Sequence, residues 1–212
     1  MTHTSAATAA FFDETFATAP LMAILRGTGV ERAVALATTA WDLGIDSVEV
    51  TLQSDEDLQA LRAVARLGDE RGKIVGAGTI VSPRQIPLAI EAGARYLVSP
   101  GLDPRVVLAA QELGIPMLPG VSTPSEVQIA SALGLSWMKA FPAQWLGTDW
   151  FRHIRGPFPQ VRFVATGGLD ATNARQFLAA GVRVVAVGSA LEDPQQLDQL
   201  AGLLTGGGYS PE

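Results

Sequence analysis

The chain has no cysteine and only two histidines, His3 and His153, among its 212 residues. The missing cysteines exclude disulfide bonds, thiolate ligands and a cysteine nucleophile. Two histidines are too few for a histidine-rich metal centre, so we expect no metal ion. Any catalysis must therefore use other side chains.

Charge is also scarce in this sequence. Charged residues make up 17% of the chain, and acidic residues outnumber basic ones by 21 to 15. A net charge of −6 and a pI near 4.9, with no basic stripe, argue against nucleic acid as a partner. No apolar run approaches the ~20 residues that a membrane span needs, and the N-terminus lacks the basic start of a secretory signal. We expect a soluble, cytoplasmic protein with no membrane partner.

Lysine is as rare as histidine, because the chain has two lysines against thirteen arginines. One of them, Lys139, lies in the otherwise apolar run SWMKAFPAQ (136–144), where burial disfavours an ammonium group. A position that needs a deprotonatable amine cannot be filled by arginine, which stays protonated. Lys139 is therefore a candidate functional residue. Lys73, next to Arg71 at a predicted strand start, is expected to be solvated.

Short β-rich runs alternate with helical patterns from Leu21 onward. The predicted strands cover residues 21–26, 47–52, 73–79, 96–100, 116–121, 137–141, 162–168 and 184–190. The segments between them carry apolar residues at three- and four-residue spacing, which indicates amphipathic helices. Runs that are apolar on both faces are typical of parallel strands covered by helices. Eight βα units predict one α/β domain over residues 1–212, a closed (β/α)8 TIM barrel.

The two ends of the chain differ from this alternating pattern. Apolar positions that include Ala10, Phe11, Phe16 and Ala17 predict a short N-terminal helix before the barrel. The last residues, GGGYSPE (206–212), are expected to fray. An open doubly wound sheet is the structural alternative, but nothing in the sequence marks the reversal of strand order that it requires.

Polar and small residues gather at the C-terminal ends of the predicted strands, where TIM barrels carry their active sites. Alternation along a strand puts Lys139 on the same face as Trp137 and Phe141. If that face and the face with Glu49 point inward, an amine and a carboxylate meet in a low-dielectric interior. One interpretation is a buried structural ion pair, which contributes little net stability.

The other interpretation makes Lys139 a Schiff-base nucleophile. An amine attacks a ketone only when it is neutral, and burial lowers the pKa of a lysine by penalising its charged form. Glu49 is then suited to move protons while a carbinolamine forms and dehydrates and while a carbon–carbon bond is cleaved. Its non-catalytic alternative is a strand-end carboxylate that caps a loop.

Further residues at the strand ends indicate an anionic substrate. Arg26 is suited to bind a carboxylate with its planar guanidinium, and the alternative for it is a surface salt bridge. Thr79, after Gly-Ala-Gly, can add a hydroxyl and backbone donors. The stretch TGG (166–168), followed by a predicted helix, and Gly188-Ser189 match the usual phosphate site of a TIM barrel. Backbone N–H groups there would bind phosphate without net positive charge.

Together these motifs resemble the KDPG/KHG aldolase family, class I aldolases that act on 2-keto-3-deoxy-6-phosphogluconate (KDPG) and related compounds. The resemblance extends from about Pro20 to Leu191 and rests on the ordered set AILRG, VEVTLQS, VGAGTI, LVSPGLD, LPGVSTPSE, MKAFPA, VATGGLD and VGSAL. It implies a (β/α)8 barrel, usually a homotrimer, with no metal or organic cofactor. It also implies reversible cleavage of a 2-keto-3-deoxy-6-phospho sugar acid, the gluconate or its galactonate epimer, to pyruvate and glyceraldehyde 3-phosphate.

The resemblance also implies roles for individual residues. Lys139 would form the pyruvyl Schiff base, and Glu49 would act as general acid and base. The pyruvyl group would be bound by Arg26 and Thr79, through its carboxylate, and by Pro100, which would pack near it. The phosphate would be held by Gly167, Gly168, Gly188 and Ser189.

The chain departs from the family pattern at Gln53, where some members carry arginine. Carboxylate binding therefore rests more on Arg26, and the stereochemical preference at C4 is left open. The loop 144–147 is bulkier than the resemblance leads us to expect, which would narrow substrate choice.

Three alternative functions stay open from the sequence. One is a 4-hydroxy-2-oxoglutarate (KHG) aldolase, which would use the same lysine. The second is a non-aldolase barrel isomerase or synthase with the same phosphate site, which would keep much of its activity without Lys139. The third is a phosphate-sugar binding protein that has lost catalysis, and it would be expected to lack the lysine or Glu49, both of which are present.

Overall fold

A cylinder of parallel strands surrounded by helices forms the body of the protein. The computed structural model describes residues 5–205, and the stretch 206–212, predicted to fray, lies outside them. Within residues 5–205 the strands are β1 (Leu21–Leu25), β2 (Ser47–Thr51), β3 (Ile74–Gly78), β4 (Tyr96–Val98), β5 (Met117–Leu118), β6 (Gly120–Val121), β7 (Trp137–Ala140), β8 (Arg162–Thr166) and β9 (Val184–Val187).

The helices of the same residues precede and separate these strands. They are α1 (Ser5–Thr15), α2 (Val30–Leu43), α3 (Asp55–Arg71), α4 (Gln85–Glu91), α5 (Pro104–Glu112), α6 (Pro124–Ala132), α7 (Ala143–Ile154), α8 (Ala174–Ala179) and α9 (Pro194–Thr205), with a short 3₁₀ helix (Ser189–Glu192) after β9. The predicted N-terminal helix is confirmed as α1. None of the described helices is both long and apolar enough to span a membrane.

The strand order closes the sheet into a barrel. Neighbouring strands run in the order β5-β4-β3-β2-β1-β9-β8-β7-β6, and every pair is parallel. The two ends of this order, β5 and β6, are consecutive in the chain and separated only by Pro119. The predicted (β/α)8-type barrel is therefore confirmed, and the open doubly wound sheet is excluded.

The fifth predicted strand (116–121) is divided in two, which gives nine strands in residues 5–205 where eight were predicted. Proline has no N–H to donate, so Pro119 interrupts the ladder. The half before it pairs with β4, and the half after it pairs with β7. Gly120 comes so close to the backbone of Pro100 that a Cβ would lie 2.2 Å from its carbonyl oxygen. The break at Pro119 therefore allows the segment 116–121 to pair with β4 on one side and with β7 on the other, where the barrel closes.

Helix α1 lies against the inner core at the N-terminal end of the strands. Phe12 and Phe16 stack on each other and contact the ring of Trp137, which points into the barrel. The indole N–H of Trp137 donates to Asp13 at 2.9 Å. Apolar and aromatic side chains therefore fill this end of the interior. Polar inward-facing residues remain at the opposite end, where the predicted site residues follow the strands.

Candidate active site

Lys139 and Glu49 face each other inside the barrel, as strand alternation predicted. Lys139 Nζ lies 3.8 Å from Glu49 Oε1, and the two side chains are 3% and 0% exposed. The ring centroid of Phe141 lies 5.5 Å from the same nitrogen. An amine and a carboxylate thus share a nearly dry space at the C-terminal ends of β7 and β2.

The surroundings of Lys139 favour its neutral form. Burial is the largest effect and lowers the pKa of the Lys139 amine, because an ammonium is poorly solvated in the interior. The Glu49 carboxylate opposes this effect, and the Arg26 guanidinium adds to it by repelling a second positive charge. The balance leaves an amine whose pKa is below that of an ordinary lysine, which is the property that a nucleophilic amine needs.

Glu49 is buried without hydrogen-bond donors from the described residues. Neither of its carboxylate oxygens accepts a hydrogen bond within residues 5–205. A structural ion pair is retained in a protein interior only when further hydrogen bonds satisfy its remaining polar atoms. The arrangement therefore argues against a purely structural pair. It suits a carboxylate that exchanges protons with a bound molecule.

Two glycines of β3 make room for the side chains of this interior. A Cβ on Gly78 would lie 1.9 Å from Glu49 Oε1, and a Cβ on Gly76 would lie 2.3 Å from the ring of Tyr96. No other residue type fits at either position without moving its neighbour. Gly78 therefore makes room for the Glu49 side chain beside Lys139, and Gly76 makes room for Tyr96, which packs against Phe12 of α1.

One cavity of about 740 Å³ contains nearly all of the predicted site residues. Those that line it are Arg26, Thr79, Pro100, Lys139, Gly167, Gly168, Gly188 and Ser189. Glu49 lies next to Lys139 in the barrel interior. Residues from both halves of the chain are therefore assembled around a single amine.

Arg26 is held by a neutral partner rather than by a carboxylate. Its Nη1 donates a hydrogen bond to Gln53 Oε1 at 2.9 Å. The backbone N–H of Gln53 in turn donates to the carboxylate of Asp57 at 3.0 Å. No ion pair of Arg26 is formed within the described part of the chain, so the surface salt bridge considered for it is absent there. The positive charge of the guanidinium is left for a ligand.

Thr79 has a strained backbone. Its φ is 59°, and among residues 5–205 no other non-glycine residue has a positive φ. A β-branched residue in this region is a genuine outlier, and such strain persists where the surrounding structure holds it. The strain lies at the mouth of the cavity that contains Lys139.

The predicted phosphate end is a glycine turn after β8. Gly167 and Gly168 both have positive φ, 100° and 74°. Their carbonyls accept hydrogen bonds from the N–H of Gln144 and the side chain of Asn173, both at 3.0 Å. The helix predicted to follow TGG is confirmed as α8, which begins at Ala174. Before it begins, the carboxylate of Asp170 accepts hydrogen bonds from the backbone N–H groups of Thr172 and Asn173.

Two carboxylates also line the cavity near this turn. Asp170 accepts hydrogen bonds from Thr172 and Asn173, and the hydrogen bond from the Thr172 side chain is the main cause of its lowered pKa. Glu192 pairs with Arg32. Both carboxylates are thus committed to protein partners, which leaves the backbone of the glycine turn to interact with a ligand.

The structure adds residues to the predicted site. Thr166, the first residue of TGG, lines the cavity, and its buried hydroxyl has no hydrogen-bond partner among the described residues. Phe141, which alternation placed on the same face as Lys139, lines the cavity as well. Gln144 also lines it. Residues 144–147 lie within α7, with a kink at Gly147, and do not form the loop that was predicted.

The second lysine, Lys73, lies just before β3 and forms an ion pair with Asp46. It is therefore not simply solvated, as was expected. Of the two lysines, Lys139 is the one that lines the cavity.

Within residues 5–205 no group of three or more acidic or histidine side chains is placed to hold a metal ion.

Comparison with known proteins gives one consistent result. The profile of the aldolase family described as "KDPG and KHG aldolase" matches residues 12–201. The chain is 40% identical over 163 residues to a KHG/KDPG aldolase of Escherichia coli K12, and the alignment covers 76% of each protein. It is 33% identical over 176 residues to a probable 2-dehydro-3-deoxy-6-phosphogalactonate aldolase of Rhizobium meliloti, with 82% of each covered.

Solved structures agree with the sequence matches. The fold is similar to that of KDPG aldolase from Legionella pneumophila, with a TM-score of 0.78 and 29% identity. The alignment covers 96% of this chain and 97% of that one. In that structure pyruvate was captured as a covalent carbinolamine intermediate.

The two lysines allow a direct test of the electrostatics around Lys139. Labelling lysine with ¹³C at Cε gives two resonances, which a Lys73→Arg variant assigns. We expect Lys139 to titrate below the reference lysine pKa of ~10.4. Arg26→Gln removes a repelling cation and should raise the pKa of Lys139, whereas Glu49→Gln removes an attracting anion and should lower it. A Lys139 resonance that titrates like an exposed lysine, or shifts of the opposite sign, would contradict this description.

Proposed function

The chain belongs to the KDPG and KHG aldolase family, whose members are class I pyruvate aldolases, and we propose how its own residues perform this lyase reaction. Lys139 is the nucleophile, Glu49 is the general acid and base, and the remaining cavity residues bind the two ends of the substrate. The observation that carries the proposal is the buried amine of Lys139, 3.8 Å from the carboxylate of Glu49 in the cavity.

The reaction begins at the keto group of the substrate. The neutral amine of Lys139 attacks C2, Glu49 gives a proton to the carbonyl oxygen, and the attacking nitrogen returns one proton to Glu49, which gives a neutral carbinolamine. Glu49 then gives this proton to the hydroxyl, which leaves as water, and the products are a positively charged imine and the Glu49 carboxylate. Burial provides the neutral amine at the start.

Carbon–carbon cleavage follows from the charge on the imine. Glu49, as carboxylate, removes the proton of the C4 hydroxyl, and the C3–C4 bond breaks. The electron pair of that bond moves toward the iminium nitrogen and forms an enamine, while C4 leaves as an aldehyde. Protonation of the enamine at C3 and hydrolysis of the imine then release pyruvate and restore the lysine. One carboxylate serves each proton transfer in turn.

The carboxylate of the substrate lies at the Arg26 end of the cavity in this proposal. Arg26 is held by Gln53, lines the cavity and has no ion-pair partner among the described residues, so its guanidinium is available to a carboxylate. Thr79 adds a hydroxyl from the end of β3, two strands away from β1 in the sheet. Pro100 lines the same cavity and would pack against the pyruvyl group.

The phosphate lies at Gly167, Gly168, Gly188 and Ser189 in this proposal. Backbone N–H groups of a glycine turn bind an anion through local dipoles, so the acidic character of the whole chain does not prevent it. This supports 2-keto-3-deoxy-6-phosphogluconate or its galactonate epimer as substrate, with glyceraldehyde 3-phosphate as the aldehyde product. Thr166, whose hydroxyl lacks a partner among the described residues, lines the cavity and can hydrogen-bond the substrate.

4-Hydroxy-2-oxoglutarate is the second candidate substrate. Its keto-acid half is the same as that of KDPG, so Lys139, Glu49 and Arg26 would act in the same way. The relative from E. coli carries both substrates in its name. The aldehyde half would then end in a carboxylate at the glycine turn.

We propose that the enzyme works in the cytoplasm, where phosphorylated sugar acids are found.

We further propose that the protein is a homotrimer. Large apolar side chains are exposed on three neighbouring helices, Leu88 on α4, Leu108 on α5 and Ile129 on α6, together with Leu113 just after α5. An exposed apolar face of this kind is typical of surfaces that are buried on association. The face lies outside the barrel, so its burial would leave the cavity open.

Trapping tests the Schiff base. With pyruvate and borohydride we expect one reduced pyruvyl adduct per chain, located on Lys139 by peptide mapping. Lys73→Arg should trap equally, and Lys139→Ala should not trap at all. Glu49→Gln should lower kcat by about 10²–10⁴-fold, because it removes the general acid and base. Folded wild-type protein that forms no adduct at saturating pyruvate would leave only the isomerase and binding-protein alternatives.

Substrate discrimination tests the phosphate site. We expect Ser189→Ala to raise the KM for glyceraldehyde 3-phosphate, in the condensation direction, by about tenfold, since a hydrogen bond to a charged group is lost. The KM for unphosphorylated glyceraldehyde should not change. Ser125→Ala, on an exposed position of α6, is the matched control. Equal effects on both aldehydes would place the phosphate elsewhere.

Light scattering tests the oligomer. We expect the mass of three chains for wild-type protein. Leu108→Glu combined with Ile129→Glu should give monomers, because two buried charges without partners oppose association. Trp145→Ala, which changes a fully exposed side chain on α7, should stay trimeric. A monomeric wild-type protein, or a glutamate variant that stays trimeric, would show that these helices do not form the interface.

A further inference from the structure

The side chain of Gln85, the first residue of α4, forms five hydrogen bonds at the edge of the cavity. Its Oε1 accepts from the backbone N–H groups of Val81 and Ser82 at 2.9 and 3.1 Å, and from the Ser82 hydroxyl at 3.4 Å. Its Nε2 donates to the carbonyls of Leu52 and Thr79 at 3.0 and 3.3 Å. Donors and acceptor are all used, and both ends of the amide bind backbone.

These five bonds join two neighbouring strand ends. Leu52 directly follows β2, the strand that carries Glu49, and Thr79 directly follows β3. The N–H of Leu52 also donates to the carbonyl of Gly78 at 2.9 Å. The residue after Leu52 is Gln53, whose side chain holds Arg26. The Gln85 amide therefore binds the backbone of Thr79 and that of Leu52, which adjoins the residue that holds Arg26.

The Thr79 backbone needs such support. A β-branched residue at a φ of 59° is strained, and it keeps this conformation only when its surroundings determine it from several sides. Gln85 binds the Thr79 carbonyl and the N–H groups two and three residues later. It thereby fixes the peptide planes on the C-terminal side of the strained residue.

We propose that Gln85 is a positioning residue for the carboxylate site. It holds Thr79 in its left-handed conformation, so that the threonine hydroxyl and backbone face the substrate carboxylate, and it aligns Gln53 and Arg26 through Leu52. This rests on the proposed function, in which Arg26 and Thr79 bind that carboxylate. Only a side chain with both a neutral donor and an acceptor can form these five hydrogen bonds.

The first expected result is a change in substrate binding. Gln85→Ala removes all five bonds and lets Thr79 relax, so the KM for pyruvate in condensation should rise about tenfold or more. Gln85→Glu keeps the shape but replaces the donor by an oxygen that faces two carbonyls, and its KM should rise at least as much.

The second expected result distinguishes positioning from general stability. Glycine adopts positive φ without strain. In a Thr79→Gly variant the backbone at position 79 therefore no longer needs Gln85 to hold its conformation. Thr79→Gly itself should bind pyruvate less well, because it lacks the hydroxyl. In that background Gln85→Ala should raise the KM by clearly less than it does in wild type. A purely structural role of Gln85 would give the same factor in both.

The matched control is Gln111→Ala. Gln111 is a half-buried glutamine on α5 whose Nε2 also donates to a backbone carbonyl, that of Leu133, at 2.9 Å. It does not line the cavity. We expect this variant to keep the wild-type KM, and thermal denaturation of all variants shows that they are folded.

The outcomes separate the two proposals. Wild-type protein that traps no pyruvate on Lys139 overturns the proposed function. Wild-type protein that traps pyruvate, while Gln85→Ala and Gln85→Glu keep the wild-type KM, overturns the role of Gln85 alone. Equal effects of Gln85→Ala with and without Thr79→Gly also overturn it.

Discussion

The burial of Lys139 beside Glu49 is the constraint on which the rest of this structure depends. An ammonium in the barrel interior is costly, so burial lowers the pKa of the Lys139 amine and favours the neutral form that the proposed mechanism requires. A carboxylate 3.8 Å away moderates this effect and is placed for the proton transfers proposed for Glu49. Both interactions are strengthened by burial, because the local dielectric is low.

The surrounding architecture creates the space for this pair and keeps it accessible. Helix α1 and the aromatic residues that contact it fill the N-terminal end of the interior. Lys139 and Glu49 lie further along the strands. Gly78 leaves room for the Glu49 side chain. Pro119 divides a strand at the closure of the barrel, next to β7, which carries Lys139. Gly78 and Pro119 therefore determine both how the barrel packs and how much space surrounds Lys139 and Glu49.

The charges around the cavity suit an anionic ligand. Arg26, held by the neutral Gln53, contributes a positive charge and also disfavours protonation of Lys139. Gly188 and Ser189 follow β9, the strand beside β1, so they lie next to the strand that precedes Arg26. The carboxylates of Asp170 and Glu192 are committed to Thr172, Asn173 and Arg32. These features suit the proposed substrate, which carries both a carboxylate and a phosphate.

The sequence by itself determined the alternation of strands and helices, the face that Lys139 shares with Trp137 and Phe141, and the set of residues at the strand ends. These follow from periodicity and from the chemistry of single residue types, which are local properties. Only the tertiary structure decided that Lys139 and Glu49 meet at 3.8 Å, that the glycines of β3 make room for Glu49 and Tyr96, and that Gln85 reaches Leu52. Each of these depends on distances between residues far apart in the chain, and periodicity carries no information about such distances.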